Sequence, residues 1–213
     1  MIRGGKMMKN PLHYQLSEYD CGPTAMLNAI SFLFEREKIS PVIIRNIMLY
    51  CLDSYNGEGI MGKSGTSSAA MMFLSNWLNG FGKIGQLPVS AKYLSGKEVY
   101  LGGESRISDA LRRGGAVVLR VLYECGHYVL LTGEKDGSVF LFDSYYDEKA
   151  FDGTEIAVIR DHPSSYNRIA PESCFNRESL ELYALGPVDD REAVILYNED
   201  TKLTQEQTIE YFI

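Results

Sequence analysis

Apolar residues recur at Ala25, Met26, Ala29, Ile30, Leu33 and Phe34, the i, i+3, i+4 spacing of a buried helix face. Gly22 and Pro23 stand where such a helix can begin, because proline in the first turn loses no needed N–H. The pattern predicts a helix from Cys21 to about Glu35–Glu37. A second helix opens at Ser40-Pro41, with serine as N-cap and proline at N1. Its inward positions are Ile43, Ile44, Ile47, Met48 and Cys51. The glycine-rich run from Asp53 to Gly65 reads as a loop. Thr66 or Ser67 then caps a third helix, with Ala70, Phe73, Leu74, Trp77 and Leu78 on its apolar face and Gly80 as its stop. Residues 81–103 are mixed, with short strand-like pieces. Ser105 caps a short helix through Ile107 and Leu111, ended by Gly114-Gly115.

Beyond Gly115 the period changes. Ala116–Tyr123, His127–Thr132 and Val139–Phe142 are β-branched and apolar, and Gly133-Glu-Lys-Asp-Gly137 between the last two is a hairpin signal. Both faces of these strands are apolar, which predicts a sheet covered on both sides. Residues 144–176 read as irregular, Arg191–Tyr197 as a last strand, and Thr204–Gln207 as a capping box opening a C-terminal helix. The first ~14 residues read as a loop or arm. Helices come first and sheet second, so the expected class is α+β. One domain spans 1–213, its helical part about 15–113 and its sheet part about 116–198.

Composition narrows the function classes. At 213 residues and 45% apolar, the chain can bury a real core. No apolar run reaches the ~18 residues of a membrane span, and the basic N-terminus lacks the apolar stretch of a signal peptide, so a cytoplasmic protein is expected. A net charge of −7 argues against nucleic acid or an acidic membrane surface as partner. Four cysteines (21, 51, 125, 174) without a C-x-x-C pair, and three scattered histidines, imply free thiols and neither a metal site nor an organic cofactor.

Cys21 changes the picture. At the start of a helix, free N–H groups and the dipole favour negative charge, which biases a thiol toward its nucleophilic form. A cysteine nucleophile needs a base, a group to orient that base, and oxyanion donors. His127 opens one hairpin strand and Asp143 ends the other. A hairpin centred near Lys135 sets them directly or nearly opposite each other on one face, where cross-strand Cβ atoms are roughly 5 Å apart. A one-residue slip would part them. Gln15, six residues before Cys21, and the Cys21 backbone N–H are the candidate oxyanion donors.

Three ordered blocks carry a resemblance: Gln15-x5-Cys21-Gly-Pro-Thr-Ala, Gly126-His127-Tyr-Val-Leu-Leu-Thr-Gly133 and Phe140-Leu-Phe-Asp143. They resemble the motif blocks of the C39 and C39-like cysteine peptidases, bacterial enzymes of papain-like fold, over residues ~15–145. The segment from Gly65-Thr66-Ser67 into the next helix is similar to that group as well. The resemblance implies Cys21 as nucleophile, His127 as base, Asp143 as orienter and Gln15 in the oxyanion hole. It also implies a helical lobe followed by an antiparallel sheet lobe, and a peptide or peptide-like substrate. Where family members often have Asp-Pro, this chain has Asp143-Ser144. The best-understood members are fused to membrane exporters and trim leaders after a double glycine; this chain has neither membrane spans nor an obvious nucleotide-binding cassette, so that substrate does not carry over.

Other readings stand beside this one. The same thiol could serve an acyltransferase, and the same fold could serve a non-catalytic peptide-binding module. Gly57-Glu-Gly-Ile-Met-Gly62-Lys63-Ser64 matches a phosphate-binding loop, and Val139–Asp143 a Walker B strand. That loop needs a strand before it and a helix starting at Lys63. The preceding segment instead reads as helix, and Gly65 to Ser67 delay the next one, so a basic, flexible loop over the cleft is expected. Cys51, Cys125 and Cys174 read as structural, and His13 and His162 as solvated. Tyr19, Tyr128 and Tyr145 are candidates to line a substrate groove.

Overall fold

The computed structural model describes residues 9–147, 151 and 153–204. Helix α1 spans Cys21–Leu33, α2 Pro41–Tyr50, α3 Ser68–Lys83 and α4 Arg106–Arg112. Strands β1 (Val89–Ser95), β2 (Ala116–Tyr123), β3 (Cys125–Lys135), β4 (Ser138–Phe142), β5 (Ala157–Val158), β6 (Arg168–Pro171) and β7 (Glu192–Asn198) form one antiparallel sheet of order β1-β7-β2-β3-β4-β6-β5. The protein is therefore α+β.

The sheet is covered on both faces. Val118, Tyr128, Leu130, Phe142 and Val194 pack against α1, α2 and α3. Val117, Leu119, Val129, Leu141 and Ile195 face α4 and a loop cluster that includes Phe175, Tyr183 and Leu185. Alternation along each strand sends its apolar residues to both layers, as the continuous apolar runs required.

Several expectations are corrected. The division into a helical part and a sheet part is not clean: β1 comes from within residues 15–113, and α4 lies on the face opposite the other helices. Helix α1 stops at Leu33, where Asn198 donates to the Leu33 carbonyl at 3.1 Å and Phe34 turns extended. Helix α3 passes through Gly80 and ends near Gly85, which has φ 76°. Gly82 has its own reason, since a Cβ there would overlap the Val89 carbonyl of β1. On α2 and α3, Ile44, Met48 and Phe73 are exposed. Residues 144–176 contain β5 and β6, and β7 sits inside the sheet between β1 and β2. The proposed C-terminal helix from Thr204 lies outside the described residues, apart from Thr204 itself.

The capping assignments hold where they fall. The Ser40, Ser67 and Ser105 side chains accept from the N–H groups of Val42, Ala70 and Ser108, each filling one donor left open at a helix start. Among the described residues no helix is long and apolar enough to cross a membrane.

Candidate functional site

The hairpin of β3 and β4 sets the first half of the site. Its turn is Asp136-Gly137, with φ 51° and 75°, the two positive angles of a type I′ turn. This centre lies beyond Lys135, so His127 and Asp143 are near neighbours across the hairpin and not directly opposed. Lys135 pairs Ser138, and Gly133 pairs Phe140. The ladder then shifts: Leu131 pairs Leu141 and Leu130 pairs Phe142, leaving Thr132 as a bulge. Without the bulge, Asp143 would follow on opposite Leu130 and turn its side chain away from His127. With it, Asp143 falls opposite Val129, two residues from His127 and on the same face.

His127 Nε2 lies 2.7 Å from Asp143 Oδ1. Asp143 is fully buried, and its other contacts hold it in place. The Tyr145 N–H donates to Oδ1 at 2.9 Å, and the Tyr183 hydroxyl donates to Oδ2 at 2.7 Å. Asn167 brackets its backbone, accepting from the Asp143 N–H and donating to its carbonyl, both at 2.8 Å. Burial alone would raise the Asp143 pKa, but the bonds from His127, Tyr183 and Tyr145 outweigh it and hold the carboxyl below its ordinary range.

Helix α1 supplies the second half. Cys21 is its first residue and is 8% exposed. Gly22 lets the helix end approach Thr66, whose side chain occupies the space a Cβ would take. The carboxylate of Asp20 shapes the preceding turn. It accepts from the N–H of Leu16 at 2.9 Å and of Ser17 at 2.6 Å, and from the Ser17 hydroxyl at 2.6 Å.

The two halves meet at His127. With Nε2 given to Asp143, Nδ1 is the ring nitrogen left for the Cys21 thiol. His127 is 6% exposed, and burial pulls its pKa down. Hydrogen bonds to Asp143 and Cys21, and the charges of both, more than reverse that and push it up to about 10. The direction favours the imidazolium form, and a positive ring is the charge that stabilises a thiolate placed beside it. Tyr123 and Tyr145 flank it, with ring centroids at 5.7 and 6.5 Å.

Gln15 joins the cluster differently from the expectation. Its backbone N–H donates to the Ser144 carbonyl, and its Oε1 accepts from the Ser144 hydroxyl, both at 3.0 Å. Its amide nitrogen donates to the Ser17 carbonyl at 2.7 Å. One of its two amide hydrogens is thus engaged inside its own loop.

An open groove of about 450 Å³ begins at Thr66 and runs past Tyr93 and Arg120 to Glu192. The Glu192 carboxylate, buried at its floor, accepts from the Tyr128 hydroxyl at 2.6 Å and the Tyr93 hydroxyl at 2.8 Å. Of the three tyrosines expected at a groove, Tyr128 is buried beneath this floor, Tyr145 edges His127, and Tyr19 lies under the Lys63 ammonium at 5.1 Å.

The remaining candidates separate from the cluster. Cys51 and Cys174 are buried, and burial pushes the Cys51 thiol up to about 12. Cys125 is exposed, so it is not a core thiol. The His162 side chain is exposed and lies 2.7 Å from Asp161. Residues 57–64 are preceded by α2, and the next helix starts at Ser68 instead of Lys63, so this glycine loop lacks the strand-to-helix context of a phosphate cradle. Among the described residues no group of three or more His, Cys, Asp or Glu is placed to hold a metal ion.

Asp20, Asn167 and Tyr183 escaped the sequence reading. Asp20 stands directly before Cys21 and could have been suspected as a turn former. Asn167 and Tyr183 lie 24 and 40 residues from Asp143 with no periodic signal linking them. No protein-family model matches the chain, and no curated protein matches it.

Proposed function

We propose that this protein is a cysteine hydrolase of papain-like, C39-like type that cleaves a peptide or a related amide. The observation that carries the reading is one buried imidazole, held by Asp143 at 2.7 Å, whose positive form the Cys21 side chain at the start of α1 also favours.

In this mechanism the thiol proton rests on His127. The Cys21 sulfur attacks the substrate carbonyl, a C–S bond forms, and the π electrons move to oxygen. The Cys21 backbone N–H, and Gln15 once its amide turns from Ser17, donate to that oxyanion. Collapse breaks the C–N bond, and His127 gives its proton to the leaving amine. Water then attacks the thioester and gives its proton to His127, and the acid leaves as the thiolate returns. Asp143 keeps the ring in one orientation and stabilises its positive form. The groove from Thr66 to Glu192 is the candidate path for the substrate chain.

The test is the alkylation rate of each cysteine by iodoacetamide across about pH 4–9, read by mass spectrometry against the ordinary thiol pKa of ~8.5. Cys21 is expected to react well below that pH while Cys51 and Cys174 stay slow. A Cys21 that behaves as an ordinary thiol, or a Cys21→Ala variant with full peptidase activity, would overturn the reading.

A further inference from the structure

The segment from Leu12 to Gln15 runs between the helix that carries Cys21 and the end of β4 that leads into Asp143. Asn28, on α1 and 1% exposed, brackets His13. Its Oδ1 accepts from the His13 N–H and its Nδ2 donates to the His13 carbonyl, both at 2.8 Å. On the other side the Leu12 N–H donates to the Pro163 carbonyl at 2.7 Å, and the Gln15 N–H to the Ser144 carbonyl at 3.0 Å. The main chain at Gln15 is therefore tied to both halves of the site. What remains to be set is the direction of its side-chain amide.

That amide has two unlike ends. The Ser17 carbonyl can only accept, so the contact of 2.7 Å to it belongs to the Gln15 nitrogen. Oε1 then falls to the Ser144 hydroxyl, which donates to it at 3.0 Å. Ser17 belongs to the turn that Asp20 holds before Cys21. Ser144 follows Asp143 directly and is 1% exposed. The nitrogen end thus lies on the side of the turn into Cys21, and the oxygen end on the side of Asp143. An amide freed from Ser17 with nothing holding its oxygen can flip, and an oxygen aimed at an oxyanion repels it. A hydroxyl at position 144 prevents the flip; a proline in that place would have none to give.

We propose that Ser144 is a positioning residue for the oxyanion donor. Its hydroxyl is the pivot on which the Gln15 amide swings from the Ser17 carbonyl toward the developing oxyanion, nitrogen first. The part played by Gln15 as donor rests on the function proposed above. Ser144 itself touches neither the substrate nor the sulfur; it acts through Gln15 alone.

The test compares two reactions of Cys21 in the full chain. p-Nitrophenyl acetate acetylates the thiolate through a tetrahedral oxyanion: the C–S bond forms, and the C–O bond breaks to release p-nitrophenolate. Iodoacetamide alkylates the same sulfur by displacing iodide from a saturated carbon, and no oxyanion arises. Initial rates of both at Cys21 are read by acid quench and mass spectrometry across about pH 4–9. Ser144→Ala is expected to slow acetylation about tenfold, short of the roughly hundredfold loss expected when Gln15→Ala removes the donor itself. It should leave the alkylation rate and its pH profile as they are in the native chain. Ser144→Thr keeps the hydroxyl and should restore acetylation. In a Gln15→Ala background, Ser144→Ala should cost nothing further, because two residues acting through one contact are not additive. That arm serves if threonine does not pack at position 144. Three results would overturn the inference while leaving the proposed function standing: acetylation unaffected by Ser144→Ala, acetylation and alkylation slowed equally by it, or a full further loss in the Gln15→Ala background. The second of these would mean that Ser144 acts through Asp143 and His127. A native Cys21 that alkylates as an ordinary thiol would overturn the proposed function and this inference with it.

Discussion

His127 is subject to opposed demands, and the balance between them has a sign that can be measured. Burial favours the neutral ring; Asp143 and Cys21 favour the charged one and prevail, with a value of about 10 against an ordinary 6.5. A group whose folded pKa is raised stabilises the fold fully below its unfolded value and loses that contribution as pH climbs to the folded value. The free energy of unfolding of the native chain, compared with His127→Gln, should therefore show a full advantage just below pH 6.5 that declines toward pH 10, and that is lost again only in acid where Asp143 protonates. Urea titrations at stepped pH read this directly, and a pH-independent difference would contradict it. Gly22 offers a second test at this scale. Gly22→Ala alters no reactive group, yet its Cβ would meet the Thr66 side chain next to the thiol. It should cost about 1–3 kcal/mol of stability as an overpacked contact, and it should slow Cys21 alkylation. The candidate residues were legible because a Cys, a His and an Asp each stood at or near the end of an element, where the packing pattern alone does not account for them. Their supports were not: a buried Asn or Tyr far along the chain looks like ordinary core or turn.

At the scale of elements, the hairpin shows both what the sequence told and what it withheld. Asp136-Gly137 between two apolar runs is a strong two-residue turn signal, and it places the true centre of the hairpin. From that turn alone, a regular ladder would put His127 and Asp143 on opposite faces. The bulge at Thr132 restores the parity, and no residue type at that position announces it. Bulges depend on how the strand must bend over its neighbours, which a linear pattern does not carry. The consequence is a contrast between two deletions. Removing Thr132 leaves Leu131 opposite Leu141 and regularises the ladder, so the His127–Asp143 contact and the Cys21 alkylation profile should persist. Removing Leu130 keeps the bulge but shifts His127 by one place relative to Asp143, and both should be lost along with a core side chain. Equal damage from the two deletions would mean that strand length, and not face, governs the site. Gly80 makes the same point about helices. It reads locally as a stop, but packing of α3 on β1 carries the helix on to Lys83, and the glycine forced by that contact is Gly82.

Across the whole molecule, the site is built from both ends of the described chain. The nucleophile candidate enters from α1 on one sheet face, while the carboxylate bonded to His127 is held by Tyr183, which packs on the other. Tyr183 is the clearest link. It is fully buried with φ 63°, a left-handed angle that a non-glycine residue adopts at about 1–2 kcal/mol. Backbone bonds to Leu122 on both sides, from the Tyr183 N–H to its carbonyl and from its N–H to Ala184, hold that angle against the strain. The hydroxyl so placed is one of the donors keeping Asp143 ionised. Tyr183→Phe keeps the ring and the backbone and removes only that donor. Unfolding should become easier by about 1–3 kcal/mol, the cost of leaving a buried carboxylate oxygen short of a partner. A merely structural role would end there. A positioning role adds a second effect: Asp143 becomes easier to protonate, its hold on the His127 charge weakens, and the acid limb of Cys21 alkylation moves to higher pH. Alkylation profiles that superimpose on the native one, at whatever stability, would confine Tyr183 to packing and leave Asp143 positioned by Asn167 and Tyr145 alone.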